Sequence, residues 1–195
     1  MKFFFVIIII FSFQSLVKSD EINDFDIEGF SIGTSLLNFM TEKEIKASKK
    51  YYEKNGYPKN KRYYTVGYDK LEIYEGLDIY LKRGDNKYII RTISGFLFIN
   101  KNKCLLKKAE IVGELRSIFS NTKEVTYEDV PHSYDLTGET KQFQTAFLIE
   151  NDELKDHIRV ECTDWSKKLE KKWADNLSVA AFSSEVLKWM ADGYN

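Results

Sequence analysis

The sequence predicts an α+β protein: a curved antiparallel sheet with helices on one face, fastened by one disulfide. Three observations carry this expectation. Alternating apolar and polar stretches are joined by short turn signals, which implies antiparallel strands. Helical periodicity interrupts the strands in blocks rather than between every pair. Two cysteines, Cys104 and Cys162, remain once an N-terminal leader is set aside.

That leader is residues 1–19. A short positive start at Lys2 precedes the apolar run "FFFVIIIIFSF", and "VKS" places small or β-branched residues before a cleavage point at Asp20. An uncleaved anchor is the alternative, but the apolar span from Phe3 to Val17 falls short of the roughly 20 residues a bilayer core requires. Cleavage predicts an exported chain, periplasmic or extracellular, that does not span the membrane. Losing Lys2 and Lys18 lowers the 29 basic residues to 27 against 30 acidic, a net of −3. Residues 20–195 carry only two prolines and no Gly/Ser-rich linker, so they read as a single domain.

The elements follow in order. "DFDIEGFSIGTSLLNFMTEKEIKASKKYY" opens extended and becomes a helix through Leu36, Leu37, Met40 and Ile45. Thr41 and Glu44 form a T-x-x-E capping box at which the helix restarts, and "NGYP" (55–58) ends it. From Tyr63 to Asn100 the period changes to two. Leu77, Ile79 and Leu81 alternate with polar neighbours, "RGDN" (83–86) is a turn, and "KYIIRTISGFLFI" returns as one strand or two hinged near Gly95. "CLLKKAEIVGELRSIF" is the clearest helix, with Leu105, Ala109, Val112, Leu115 (or Arg116) and Phe119 on one face and lysines on the other. The remainder reads β-β-β-α. Phe143, Thr145, Phe147 and Ile149 share one face, Ile158, Val160 and Cys162 point inward, "NLSVAAF" is the third strand, and Ser183 or Ser184 caps the last helix.

In an exported chain two cysteines imply one bridge, here closing a loop of about 58 residues between helix and strand. The segments "FDIEGFSIGTSLLNFM", "VECTDW" and "DNLSV…SSEVLKWM" resemble uncharacterised exported proteins of AT-rich marine bacteria of the Pelagibacter type. The resemblance covers nearly all of residues 25–190. It implies an exported α+β protein with paired cysteines and no assigned activity, and it carries over no site residue.

Candidate chemistry is sparse. "PHSYDLTGET" holds His132, Ser133 and Asp135, but adjacent side chains diverge and no G-x-S-x-G elbow exists, so turn chemistry is the expected role. On a strand, His157, Arg159 and Glu161 share the face opposite Ile158, and His157 with Arg159 is a candidate small-anion face. The strip 46–70 has eight Lys/Arg against Glu53 and Asp69, interleaved with tyrosines. Lys59, Lys61 and Arg62 with Tyr57, Tyr63 and Tyr64 are therefore the candidate polyanion contact, suited to an anionic envelope lipid, a glycan or another envelope protein rather than nucleic acid. The competing expectation is that lysine stems and tyrosine rings simply cover a sheet rim. No ligand set for zinc or calcium and no Gly-rich phosphate loop is present, so no metal or cofactor is expected. The expectation is a non-catalytic binding or envelope-associated module. The alternative is a small hydrolase or transferase using His132 or His157 with Asp135 or Glu161.

Overall fold

The computed structural model describes residues 22–51, 60–149 and 154–192. The leader, "NGYP", Tyr57 and Lys59 lie outside those residues. A turn of 3-10 helix (Ile22–Asp24) leads into a small hairpin, β1 (Asp26–Ile27) and β2 (Phe30–Ser31), and a second 3-10 turn (Leu36–Asn38). Then come α1 (Glu42–Ser48), β3 (Lys49–Lys50), β4 (Tyr63–Tyr68), β5 (Gly76–Lys82) and β6 (Ile90–Leu97). The second half repeats the plan with α2 (Lys101–Ile118), β7 (Lys123–Pro131), β8 (Lys141–Leu148), β9 (His157–Asp164) and β10 (Asn176–Phe182), and α3 (Ser184–Ala191) ends the chain.

Strands β3 to β10 form one open sheet in the order β3-β4-β5-β6-β10-β9-β8-β7, every pair antiparallel. This is the α+β architecture the alternating patterns predict. Each half is a helix followed by a four-strand meander, and the halves meet where β6 pairs with β10. The core is built row by row across that register. Val66, Ile79, Ile93, Ala181, Ile158 and Phe147 stand opposite one another on consecutive strands and are essentially inaccessible to water. Burying each Val, Ile or Phe contributes roughly 1.5–3 kcal/mol. The hairpin, α1 and α2 pack on this face. On the other face α3 closes one corner, where Val186 and Trp189 meet Tyr63 and Tyr80.

The capping box forms as expected: Thr41 Oγ1 accepts the Glu44 N–H, and Glu44 Oε2 accepts the Thr41 N–H at 2.8 Å. The helix is shorter than its apolar periodicity predicts. It stops at Ser48 because Lys49 and Lys50 pair with Val66 and Thr65 of β4, so sheet hydrogen bonds replace further helix. Strand β6 runs unbroken through Gly95, against the expected hinge. The glycine is required there because a Cβ would lie 2.8 Å from the Tyr74 ring.

In α2 the inward face contains Cys104, Lys108, Val112 and Leu115, while Ala109 is exposed. The Cys104–Cys162 bridge forms, with both residues buried, and ties the first turn of α2 to β9. That covalent anchor fixes the helix rotation one position away from the face read from hydrophobicity. Lys108 therefore lies inward, its stem covered and its ammonium 3.0 Å from Glu128.

Strand β7 is a fourth strand where three were expected after α2. Its charged, weakly apolar sequence is that of an edge strand, with a bulge at Tyr127/Val130 and a left-handed Asp129 that blunt the edge. Ser183 occupies the N-cap position of α3 but makes no side-chain cap. Asp156 from the β8–β9 loop accepts the Ser184 N–H at 2.7 Å instead. No helix among the described residues is long and apolar enough to cross a membrane.

Candidate functional site

Asp135 organises the loop after β7. Its Oδ1 accepts Thr137 N–H (3.0 Å) and Oγ1–H (2.7 Å), and its Oδ2 accepts Thr140 N–H (3.1 Å) and Oγ1–H (2.7 Å). The Thr140 and Thr137 hydroxyls, aided by the two amides, hold the carboxyl far below the usual carboxylate range. A base must take a proton near neutrality, and this carboxylate does not. His132 is committed too. Its Nδ1 accepts the Tyr134 N–H at 3.0 Å, which leaves Nε2 as the protonated nitrogen of the neutral ring. Its ring packs on Trp165, which stacks on Trp173, which meets Tyr134 edge-on. Burial pushes the imidazole below its ordinary value, partly offset by Glu161 and Asp135. His132 is thus a neutral N–H donor in an aromatic satellite core.

On β9, register places His157, Arg159 and Glu161 on one face, opposite Ile158 and Val160, as alternation predicts. That face is more covered than a solvated strand. His157 is 6% exposed and packs on Phe182, and the Arg159 guanidinium lies 4.6 Å over the same ring. Glu161 Oε2 is 3.5 Å from Arg159 Nε, and its Oε1 accepts from Gln142 Nε2 at 2.8 Å and Thr163 Oγ1 at 3.2 Å. The histidines sit at opposite ends of β9, one beside Trp165 and one beside Phe182, so the two imidazoles are not brought together.

In the basic strip, Tyr63 and Tyr64 are 1% and 5% exposed and point to opposite faces of β4. The Tyr63 hydroxyl donates to Glu185 at 2.9 Å, and burial with that partner raises its pKa to about 12. Both tyrosines are core residues. Lys61 and Arg62 are exposed, and Lys49 stands 4.0 Å over the Tyr64 ring and 4.9 Å over Tyr51.

The residue that sequence reasoning missed is Asp78, in the middle of β5. A cleft of about 540 Å³ opens where β3, only two residues long, leaves the outer edge of β4 at Gly67 and Tyr68 unpaired among the described residues, their other edge being paired with β5. Met40, Lys50, Gly67, Glu75, Asp78 and Phe96 are among its walls. Gly67 stands directly opposite Asp78, and a side chain there would meet only the Leu77 carbonyl oxygen, at 4.0 Å. Gly76 lies two residues before Asp78 on the same face, with Phe96 seated so closely that any Cβ would be 2.6 Å from the ring. The two glycines therefore uncover the Asp78 carboxylate and set an aromatic wall beside it. Glycines inside strands mark such close approaches, and that was the available signal.

Among the described residues Asp78 makes no side-chain hydrogen bond or ion pair. Burial raises its carboxyl above the ordinary value, and the field of Lys50 only partly offsets this. Its neighbours are spent. Glu44 caps α1 and stands 3.8 Å from Lys70, and Glu75 accepts the Phe98 N–H at 2.9 Å. A smaller cleft of about 340 Å³ between the hairpin and α2 contains Glu28, which is likewise spent. Glu28 accepts the N–H groups of Glu72, Ile73 and Tyr74 at 2.6, 3.0 and 2.9 Å. Among the described residues no group of three or more His, Cys, Asp or Glu side chains is arranged to hold a metal ion. No family model, curated protein or solved structure matches this chain.

Proposed function

We propose that this chain is an exported, non-catalytic binding protein that takes its ligand in the cleft over Asp78. The observation that carries the reading is the contrast between Asp78 and the other acids of the candidate sites, with His132. Asp135, Glu161, Glu28 and His132 are each committed to internal hydrogen bonds, whereas the half-buried Asp78 carboxylate has none among the described residues and lines the cleft. An unpaired buried carboxylate costs stability, and a ligand that pairs with it recovers that cost. The formed, buried disulfide supports export, because such bonds persist in oxidising compartments. A second reading, contact with an anionic envelope lipid or glycan, is supported by exposed Lys49, Lys50, Lys61 and Arg62 along the same sheet edge.

Native mass spectrometry of the protein recovered from the exported fraction tests both halves. The expected result is a chain starting at Asp20 with the bridge closed, carrying a small molecule that D78N does not retain. A chain that keeps residues 1–19 with both thiols free removes the export half. A ligand retained equally by D78N removes the cleft half.

A further inference from the structure

The Asp78 cleft has the chemistry of a site for a compact organic cation. We infer that it binds a primary ammonium group attached to an apolar body, with the nitrogen on the Asp78 carboxylate and the body against Phe96; this rests on the binding reading above.

Four features lead to that ligand class. The carboxylate is acceptor-only when ionised and lacks a donor among the described residues, so the missing partner is a donor, and a charged one bonds most strongly. The cleft owes its width to a missing side chain: Gly67, directly across from Asp78, carries none, and a Cβ there would meet only the Leu77 carbonyl oxygen at 4.0 Å, which leaves room beside the carboxylate for a group the size of an ammonium. Phe96 lies against Gly76 and is itself backed by Phe98 at 5.4 Å, which fixes an aromatic surface beside the anion. An aromatic ring lining the same cleft as a carboxylate favours a cation with apolar substituents over a hydrated metal ion, because such a body has apolar surface to bury against the ring. Lys50 is the fourth feature. It lines the cleft, stands on β3 opposite Thr65 and exerts the favourable field on Asp78 without bonding to it. An incoming ammonium replaces a distant positive charge with a contacting one.

The probes are benzylamine, benzyl alcohol and benzoate, which share a ring and differ in charge. Amide shifts of 15N-labelled mature protein are followed during each titration at low salt. Benzylammonium is expected to shift the Gly67, Gly76 and Asp78 amides saturably. Binding should weaken about tenfold or more in D78N, which removes a charge-assisted bond at nearly constant shape. In K50Q it should tighten, because a competing cation is gone, while an exposed α2 variant, E110Q, should leave it unchanged. Equal affinity in wild type and D78N overturns the inference, as does looser binding in K50Q. If benzoate or benzyl alcohol saturates these amides and benzylammonium does not, the cation assignment fails while the binding reading stands. If none of the three moves them, both fail.

Discussion

Replacing both bridged cysteines by alanine measures what the helix-to-sheet staple contributes. The bridge closes a loop with a sequence separation of 58 residues. The chain-entropy relation assigns such a loop about 4 kcal/mol, exerted through the unfolded ensemble. Alanine is the right replacement because both sites are 1% exposed, and serine would bury two hydroxyls in addition. For a domain of this size each kcal/mol moves Tm by about 2–4 °C, so C104A/C162A should melt about 8–16 °C lower. Urea unfolding followed by tryptophan fluorescence supplies the second readout. Without the cross-link the unfolded chain exposes more surface, so the m-value should rise as the midpoint falls. A loss under about 1 kcal/mol with an unchanged m-value would refute the entropic argument. The same burial should keep the native bridge unreactive toward dithiothreitol until urea opens the fold.

Four further outcomes are expected. E28Q should lower stability by on the order of 1 kcal/mol at neutral pH, after discounting for solvent exposure, because three amides lose a charged acceptor. Burial alone would raise the Glu28 pKa, but the amides hold it below the ordinary 4.5. The wild type therefore has this stabilisation above that value and loses it as acid carries the pH through the folded pKa, and urea midpoints from pH 7 to 3 should show the difference closing. W189A should cost about 3–5 kcal/mol in the same urea assay, since the indole is buried against Tyr63 and its Nε1 donates to Asn60 at 2.7 Å. K61E/R62E should weaken sedimentation with anionic liposomes or sacculi at low salt without changing Tm, and unchanged sedimentation removes the lipid or glycan contact. D78N should be more stable than wild type at pH 7 by urea midpoint. The folded-state pKa of Asp78 is raised, so ionising it costs stability as pH rises, and the advantage of D78N should vanish below the ordinary aspartate value of 3.8.

Features decided by near neighbours were legible in the sequence. Thr41 and Glu44 are three residues apart and form their box regardless of the rest of the fold. The inward face of β9 follows from alternation, because Ile158, Val160 and Cys162 answer to one sheet surface. The disulfide followed from the leader and an even cysteine count, yet its consequence for α2 did not. Only the position of Cys162 beneath the helix shows that Lys108 rather than Ala109 faces inward. Strand β7 was not legible because an edge strand shows little hydrophobic alternation. Asp78 was invisible for the same kind of reason. In "LDIYL" it is an ordinary polar residue on an alternating strand. Its isolation depends on Gly67 across the ladder and Phe96 over Gly76, which lie 11 and 18 residues away in sequence. Conversely, Tyr63 and Tyr64 looked like surface aromatics from composition, and the sheet and α3 bury them.

The cleft reading turns on whether Asp78 is a desolvated carboxylate that a cation can neutralise. A 13C-carboxyl NMR titration of the protein, with and without benzylammonium, measures that directly. Asp78 should titrate above 3.8 in the free protein, with Lys50, Glu44, Asp69, Lys70 and Glu75 as the charged groups around it, and the amine should draw its midpoint down. A midpoint at or below the ordinary value, or one that the amine leaves in place, would contradict it.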